Sequence, residues 1–140
     1  MVEFKNVSMS YEKGHEVLKN ISFKLEPGSM HFLTGPSGSG KTSLLKLIYL
    51  AQKPSYGEIL MFNRDVAKVK REDLPALRRR IGVVFQDFKL MNELTINGNL
   101  EFVLKATGWK QKELIIAKVE AVLKKVNMHT KGHKFPYELS

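Results

Sequence analysis

Cysteine is absent from the 140-residue chain, so neither a disulfide nor a cysteine-ligated metal centre contributes to its fold. Long apolar runs are missing too, because no stretch approaches the ~20 residues that a membrane-spanning helix needs. The first residues, Met1 to Lys5, lack the charged-then-apolar pattern of a secretory signal. These absences are compatible with a reducing, cytosolic setting, and the length is enough to close a hydrophobic core.

Acidic residues are outnumbered: 14 Asp and Glu face 23 Lys and Arg, which gives a formal net charge of +9 at pH 7. Such an excess attracts acidic partners, either nucleic acid or an anionic membrane surface. A base-stacking platform would need aromatic residues interleaved with the basic clusters, and the sequence does not provide them. The charge therefore indicates a solvated basic surface, and we expect no nucleic-acid partner.

The first half of the chain has the texture of β-strands. Ile21, Phe23 and Leu25 alternate with polar residues, which predicts a half-buried strand, and Val2 and Phe4 begin an earlier one. The short apolar run 30–33 predicts a buried strand that leads into a glycine-rich loop, and the leucine-rich segment 41–51 predicts a helix. Further strands are expected at 58–62 and at 81–85.

The second half is helical in pattern. Thr95 is placed to cap a helix that ends near Gly108. A second helix is predicted from apolar residues that recur on one face: Ile115, Val119, Val122 and Val126. Together the elements predict an α/β fold in one domain, with a β-rich core over residues 1–87 and a helical subdomain over residues 88–140.

The segment 35–42 reads Gly-Pro-Ser-Gly-Ser-Gly-Lys-Thr and fits the phosphate-binding pattern G-x-x-x-x-G-K-[ST] of a P-loop. Its glycines let backbone amides approach oxygen atoms closely, and the following helix directs its positive end at an anion. Lys41 supplies a compact charge for phosphates, and the Thr42 hydroxyl is a hard oxygen suited to Mg²⁺. The residues expected to bind a nucleotide here, most simply ATP, are Gly35, Pro36, Ser37, Gly38, Ser39, Gly40, Lys41, Thr42 and Ser43.

Beyond the P-loop, the chain resembles the ATP-binding subunits of ABC transporters along its whole length. Several stretches carry the resemblance: the first strand 4–8 with Tyr11, the strand and turn 17–28, the P-x-x-G-x-I stretch 54–59, the approach to a glutamine at 79–86, and the lead-in to a signature motif at 135–140. Within the family, these motifs are most similar to those of the ATP-binding proteins of bacterial cell division. The macrolide- and lipoprotein-export ATPases share many of them.

The resemblance implies roles for residues outside the loop. Tyr11 would stack on the adenine ring, and Gln86 would coordinate Mg²⁺ or the attacking water, so that Lys41 and Gln86 are the catalytic candidates and Thr42 and Gln86 the magnesium ligands. The family also implies an ATP-driven complex on the cytoplasmic face of the cell membrane. In it, two ATP-binding subunits pair and an integral-membrane partner docks near Gln86, against residues 88–94.

The resemblance also implies what these 140 residues do not contain. The signature motif would continue beyond Ser140, and no run of four apolar residues followed by Asp-Glu occurs, so we expect an N-terminal portion of such a subunit. Its fold would be a P-loop core of the ABC ATPase type with an N-terminal antiparallel β part and the start of a helical subdomain, and the C-terminal part of the sheet would be missing. Without the group that orients the attacking water, this polypeptide is expected to bind ATP weakly and hydrolyse it negligibly. Two alternatives stay open: a nucleotide-dependent adaptor without turnover, and a small P-loop kinase or nucleic-acid NTPase that would bind DNA or RNA in a salt-sensitive way.

Overall fold

An antiparallel hairpin of two long strands begins the fold. In the computed structural model, which describes residues 1–12 and 14–139, strand β1 is Val2–Glu12 and strand β2 is His15–Leu25. Phe4 pairs with Phe23 across the hairpin, and their rings stack with centroids 4.5 Å apart. The predicted alternation along β2 is confirmed, since Ile21, Phe23 and Leu25 are half-buried between exposed neighbours.

An irregularity in β1 decides which of its side chains face the core. Phe4, Val7 and Met9 are all buried, although the step from Phe4 to Val7 is three residues rather than the two of a regular strand. The pairing with β2 shifts between Phe4 and Val7, and Asn6 has a positive φ of 50°. The extra residue acts as a β-bulge and returns the following residues to the core face of the sheet.

Two further strands complete an antiparallel sheet with the order β2-β1-β3-β4. Strand β3 is Tyr56–Met61, where the sequence predicts residues 58–62, and β4 is Arg64–Asp65. The two residues between them, Phe62 and Asn63, have φ values of 50° and 64°, as a two-residue type I′ hairpin loop requires. The antiparallel β part expected at the N-terminal end is therefore present.

Helix α1 (Lys41–Ile48) packs its apolar face on this sheet, and the short helix α2 (Leu74–Arg78) closes the same core. Arg78 donates a hydrogen bond of 2.6 Å to the carbonyl of Leu50 and so ties α2 to the segment after α1. The buried apolar residues of this core are Phe4, Val7, Met9, Leu18, Leu44, Leu47, Leu50, Ile59, Met61, Val66 and Leu77.

The strands expected at 30–33 and 81–85 are wrong: both segments are irregular in the structure. Their apolar side chains are exposed, with Met30 at 80 %, Phe32 at 82 % and Val84 at 94 %. A buried strand needs hydrogen-bonding neighbours for its backbone. Within residues 1–12 and 14–139, the sheet contains only β1 to β4, and none of them pairs with either segment.

The chain divides into two compact units, Met1–Val83 and Val84–Ser140. The second contains helix α3 (Ile96–Ala106) and helix α4 (Lys112–Lys125), which pack around Ile96, Ile115, Val119 and Leu123. The predicted cap is confirmed, because the Thr95 hydroxyl accepts a 3.1 Å hydrogen bond from the Gly98 amide. The predicted face of α4 is wrong at its end: the helix stops at Lys125, Val126 is 57 % exposed, and Leu123 takes the buried position instead.

Candidate functional site

The glycine-rich loop runs over the surface of the first unit into the N-terminus of α1. Residues 35–39 are exposed, and Gly40 caps the helix in a left-handed conformation with φ 88°. A Cβ at Gly40 would lie 2.8 Å from Leu18 Cδ2 and 3.0 Å from the carbonyl oxygen of Val17. Both the conformation and the close approach to β2 therefore require glycine at this position.

Lys41 turns its ammonium group back over the loop that precedes it. Its Nζ donates hydrogen bonds to the carbonyl oxygens of Gly35 at 2.8 Å and Pro36 at 2.7 Å, and lies 3.5 Å from Ser39 Oγ. The charge thus lies over the loop that leads into the first amides of α1, and these amides have no acceptor within the helix. A positive charge and amides of this kind are the groups that can bind an anion at the start of a helix.

Tyr11 approaches the same helix from the end of β1. Its hydroxyl lies 3.2 Å from the buried Ser43 Oγ, and Lys46 Nζ donates to it at 3.3 Å and lies 5.3 Å from the centre of the ring. The hydrogen bond with Ser43, followed by that with Lys46, holds the pKa of the Tyr11 phenol below its usual value. Nearly half of Tyr11 (49 %) stays exposed, so the ring keeps surface that a flat ligand can cover.

The remaining candidates lie at two places. Thr42 is exposed in the first turn of α1, in the first unit. Gln86 is exposed in the second unit, in a turn that the 3.1 Å hydrogen bond from the Phe88 amide to the Phe85 carbonyl closes. Ser140, the first serine of the expected signature, lies outside the described residues.

Next to Gln86, Asp87 pairs with Lys89 at 2.5 Å, and this contact lowers the pKa of the Asp87 carboxyl group. The two residues that follow Asp87, Phe88 and Lys89, have positive φ values of 54° and 52°. Side chains from this stretch and from the 3₁₀ turn Pro136–Glu138 line an open groove in the second unit: Asp87, Phe88, Leu90, Asn92, Pro136 and Tyr137. Phe88 and Tyr137 are 72 % and 71 % exposed there.

The structure therefore brings Tyr11, Ser43 and Lys41 together around one helix, whereas Gln86 belongs to the second unit. Sequence reasoning missed two polar residues: Lys46, which holds Tyr11, and Asn99, a buried amide that makes four hydrogen bonds within the second unit. A signal for Asn99 was present, since it is a polar residue one turn after the apolar Ile96 of α3. No sequence pattern connects Lys46 with a tyrosine that lies 35 residues earlier.

The donors in the first unit fit a magnesium nucleotide. The loop offers glycine amides and one ammonium group, which suit phosphate oxygens, and Thr42 offers an exposed hydroxyl of the kind that Mg²⁺ accepts as a ligand. Tyr11 adds an exposed aromatic surface for a base. No group of three or more His, Cys, Asp or Glu side chains that could hold a metal ion occurs in the described ranges 1–12 and 14–139.

Comparisons with known proteins agree with this geometry. A family profile described as "ABC transporter" matches residues 18–140. The cell division ATP-binding protein FtsE of Bacillus subtilis is 41 % identical over all 140 residues, and the methionine import ATP-binding protein MetN of Helicobacter pylori is 34 % identical. The solved structure of the ATP-binding cassette MJ0796, a dimer bound to ADP and Pi in a post-hydrolysis state, matches with a TM-score of 0.83 at 32 % identity.

These matches cover the whole chain but only part of the relatives: 61 % of the FtsE protein, 42 % of MetN and 63 % of the solved cassette. The similarity to the cassette confirms the predicted α/β P-loop fold, with its N-terminal antiparallel sheet and its helical segment.

Proposed function

We propose, because this chain belongs to the ABC transporter family, that it binds ATP with Mg²⁺ through the loop at the start of α1 and through Tyr11. The observation that carries the proposal is the 3.2 Å contact between Tyr11 and Ser43, which joins an aromatic surface to the helix that follows the phosphate loop. A nucleotide has a charged triphosphate at one end and a flat base at the other. The loop would bind the triphosphate, and the Tyr11 ring would contact the base.

Each residue has a distinct task in this proposal. The glycine amides and the Lys41 ammonium would bind the β- and γ-phosphates, and Tyr11 would stack on the base. Thr42 and Gln86 would hold Mg²⁺, which supplies charge neutralisation on the phosphates when it is bound. Gln86 would also orient water near the γ-phosphate, so that the second unit responds to the presence of that group.

At the level of biology, we place the chain in an FtsE-like ABC complex of bacterial cell division. The 41 % identity to FtsE supports this assignment. Such a protein would pair with a second ATP-binding subunit, as the solved cassette does, and act on the cytoplasmic face of the cell membrane without a nucleic-acid partner. Its partner would be an FtsX-like integral-membrane subunit that docks against residues 88–94, where the exposed Phe88 and Leu90 line the groove together with Tyr137.

Two other functions share the same site. The 34 % identity to MetN shows that import cassettes use similar sequences, and an export ATPase of the macrolide or lipoprotein class would need the same loop and tyrosine. A nucleotide-dependent adaptor would bind ATP in the same way and differ only in the absence of turnover.

Titration calorimetry with ATP and Mg²⁺ tests the nucleotide site. We expect Lys41→Ala to weaken binding by roughly 10- to 100-fold, because a charge-assisted hydrogen bond contributes about 1.5–3 kcal/mol. The exposed Lys53→Ala is the matched control, because it removes the same charge from the same unit away from the loop. Equal ATP affinity in the wild type and in Lys41→Ala, or no ATP binding by the wild type, would contradict the proposal.

A further inference from the structure

The Tyr11 side chain is held at its hydroxyl by two residues of α1, and one of them, Lys46, has no role in the nucleotide site described so far. We propose that Lys46 is a positioning residue that fixes the Tyr11 ring for a nucleobase, so that the site distinguishes a nucleotide from a bare polyphosphate. This inference rests on the proposed function and adds to it the group that prepares the base-binding surface.

The direction of the hydrogen bonds supports this role. An ammonium group can only donate, so the Tyr11 oxygen must accept from Lys46. The proton of the Tyr11 hydroxyl is then free to point at Ser43 Oγ, 3.2 Å away. The phenol oxygen is thereby held by two neighbours, and the side chain cannot swing away from α1 without breaking one of the two bonds.

The position of Lys46 on α1 separates it from the phosphate end of the site. Ser43 and Lys46 are three residues apart and share one face of the helix. Lys41 and Lys46 are five residues apart and point in directions that differ by about 140° around the helix axis. Lys41 contacts the loop carbonyls and Lys46 contacts the tyrosine, so the two lysines address opposite ends of a bound nucleotide.

A ring that is held before binding loses less conformational freedom when a base stacks on it. Lys46 therefore strengthens binding of ligands that carry a base, and it leaves ligands made of phosphate alone unaffected. The 49 % exposure of Tyr11 leaves room for such a stack even with Lys46 in place.

Calorimetry with two ligands, ATP and inorganic tripolyphosphate, each with Mg²⁺ and the full chain, tests the inference. We expect Lys46→Met, which keeps the aliphatic stem, to weaken ATP binding by about 3- to 10-fold and to leave tripolyphosphate affinity unchanged. Lys46→Arg keeps a donor and should retain most of the ATP affinity. Lys53→Met, in an exposed position, is the matched control and should change neither affinity.

Tyr11→Phe gives a second route, because it keeps the ring and removes the hydroxyl. It should show the same selective loss for ATP, and the double variant with Lys46→Met should lose no more than the single ones. Unchanged ATP affinity in Lys46→Met, or an equal loss for both ligands, would overturn the role of Lys46 alone. A wild-type chain that binds neither ligand would overturn the proposed function and this inference with it.

Discussion

At the scale of single residues, Gly57 shows how closely the backbone of this sheet is packed. It has a φ of 86°, and a Cβ there would meet the backbone of Asn6 and the Lys5 carbonyl oxygen, the latter at 2.6 Å. These are the residues of the β1 bulge, since the pairing of β1 with β3 shifts between Lys5 and Ser8. Gly57 therefore accommodates the extra residue of β1 from the neighbouring strand.

We expect Gly57→Ala to lower the free energy of unfolding by about 2–4 kcal/mol, because it combines a disfavoured φ with a steric clash against backbone atoms. Gly28→Ala is the control: Gly28 has a φ of 77° but open space around it, so only the conformational cost of about 1–2 kcal/mol applies. Urea unfolding followed by circular dichroism measures both. A loss in Gly57→Ala no larger than that in Gly28→Ala would show that β1 can shift to admit a side chain.

The nucleotide site could be predicted only where its residues are neighbours in sequence. The loop 35–42 can be recognised from the sequence because its glycines, Lys41 and Thr42 lie within one short, continuous segment. Tyr11 and Gln86 came from the family resemblance, and their roles remain predictions. Lys46 was missed because its partner lies on a distant strand, and periodicity within a helix does not show which strand a face will contact.

At the scale of elements, helix α3 is fastened to the loop before it by Asn99. Its Oδ1 accepts from the Met91 amide at 2.8 Å, and the two hydrogens of its Nδ2 are shared among the carbonyls of Met91, Leu94 and Thr95 at 3.0, 3.1 and 3.0 Å. Asn99 is only 9 % exposed, so these bonds replace water that cannot reach the amide. The Asn99 side chain thus fixes the backbone conformation of residues 91–95, which lead into α3.

We expect Asn99→Asp to destabilise the second unit by about 2–3 kcal/mol at neutral pH, because a carboxylate would replace the amide donor and face three carbonyl oxygens. Asn92→Asp makes the same chemical change at an exposed position of the same loop and should be close to neutral. Thermal unfolding and amide hydrogen exchange of α3 give the measurement. Similar stability of the two variants would mean that the loop reaches its conformation without Asn99.

Elements with local signals were predicted well, and elements that depend on distant partners were not. The hairpin of β1 and β2, helix α1 and the Thr95 cap follow from alternation, periodicity and capping within a few residues. The segments 30–33 and 81–85 have the composition of buried strands, but a strand also needs a neighbour to pair with. The predicted apolar face of α4 included Val126, because its spacing from Val119 and Val122 fits a helix. The helix ends at Lys125, so Val126 lies beyond it and Leu123 is buried instead.

At the scale of the whole molecule, exposed apolar side chains occur in both units. Met30 and Phe32 are exposed in the first unit, and Phe88 and Tyr137 in the second. None of the helices within residues 1–12 and 14–139 has both the length and the apolar character that crossing a bilayer demands.

We expect these 140 residues to hydrolyse ATP negligibly. Their rate of phosphate release would equal the background rate and would not change in Lys41→Ala. The reason is that the sequence contains no apolar run followed by Asp-Glu, which would supply the carboxylate that acts as base toward the attacking water. A steady-state phosphate-release assay on the purified chain, with Lys41→Ala as the background, gives the answer. Turnover comparable to that of intact ABC ATPases, lost in Lys41→Ala, would contradict the expectation.

The bulge of β1 has a consequence for how the chain tolerates changes in length. After the extra residue at Asn6, Val7, Met9 and Tyr11 follow one another at intervals of two residues, and the Tyr11 hydroxyl reaches Ser43 of α1 only if these intervals are kept. An insertion or deletion of one residue between Asn6 and Tyr11 would turn the tyrosine to the opposite face of the sheet. The five-residue interval from Asn6 to Tyr11 therefore determines whether the tyrosine reaches α1.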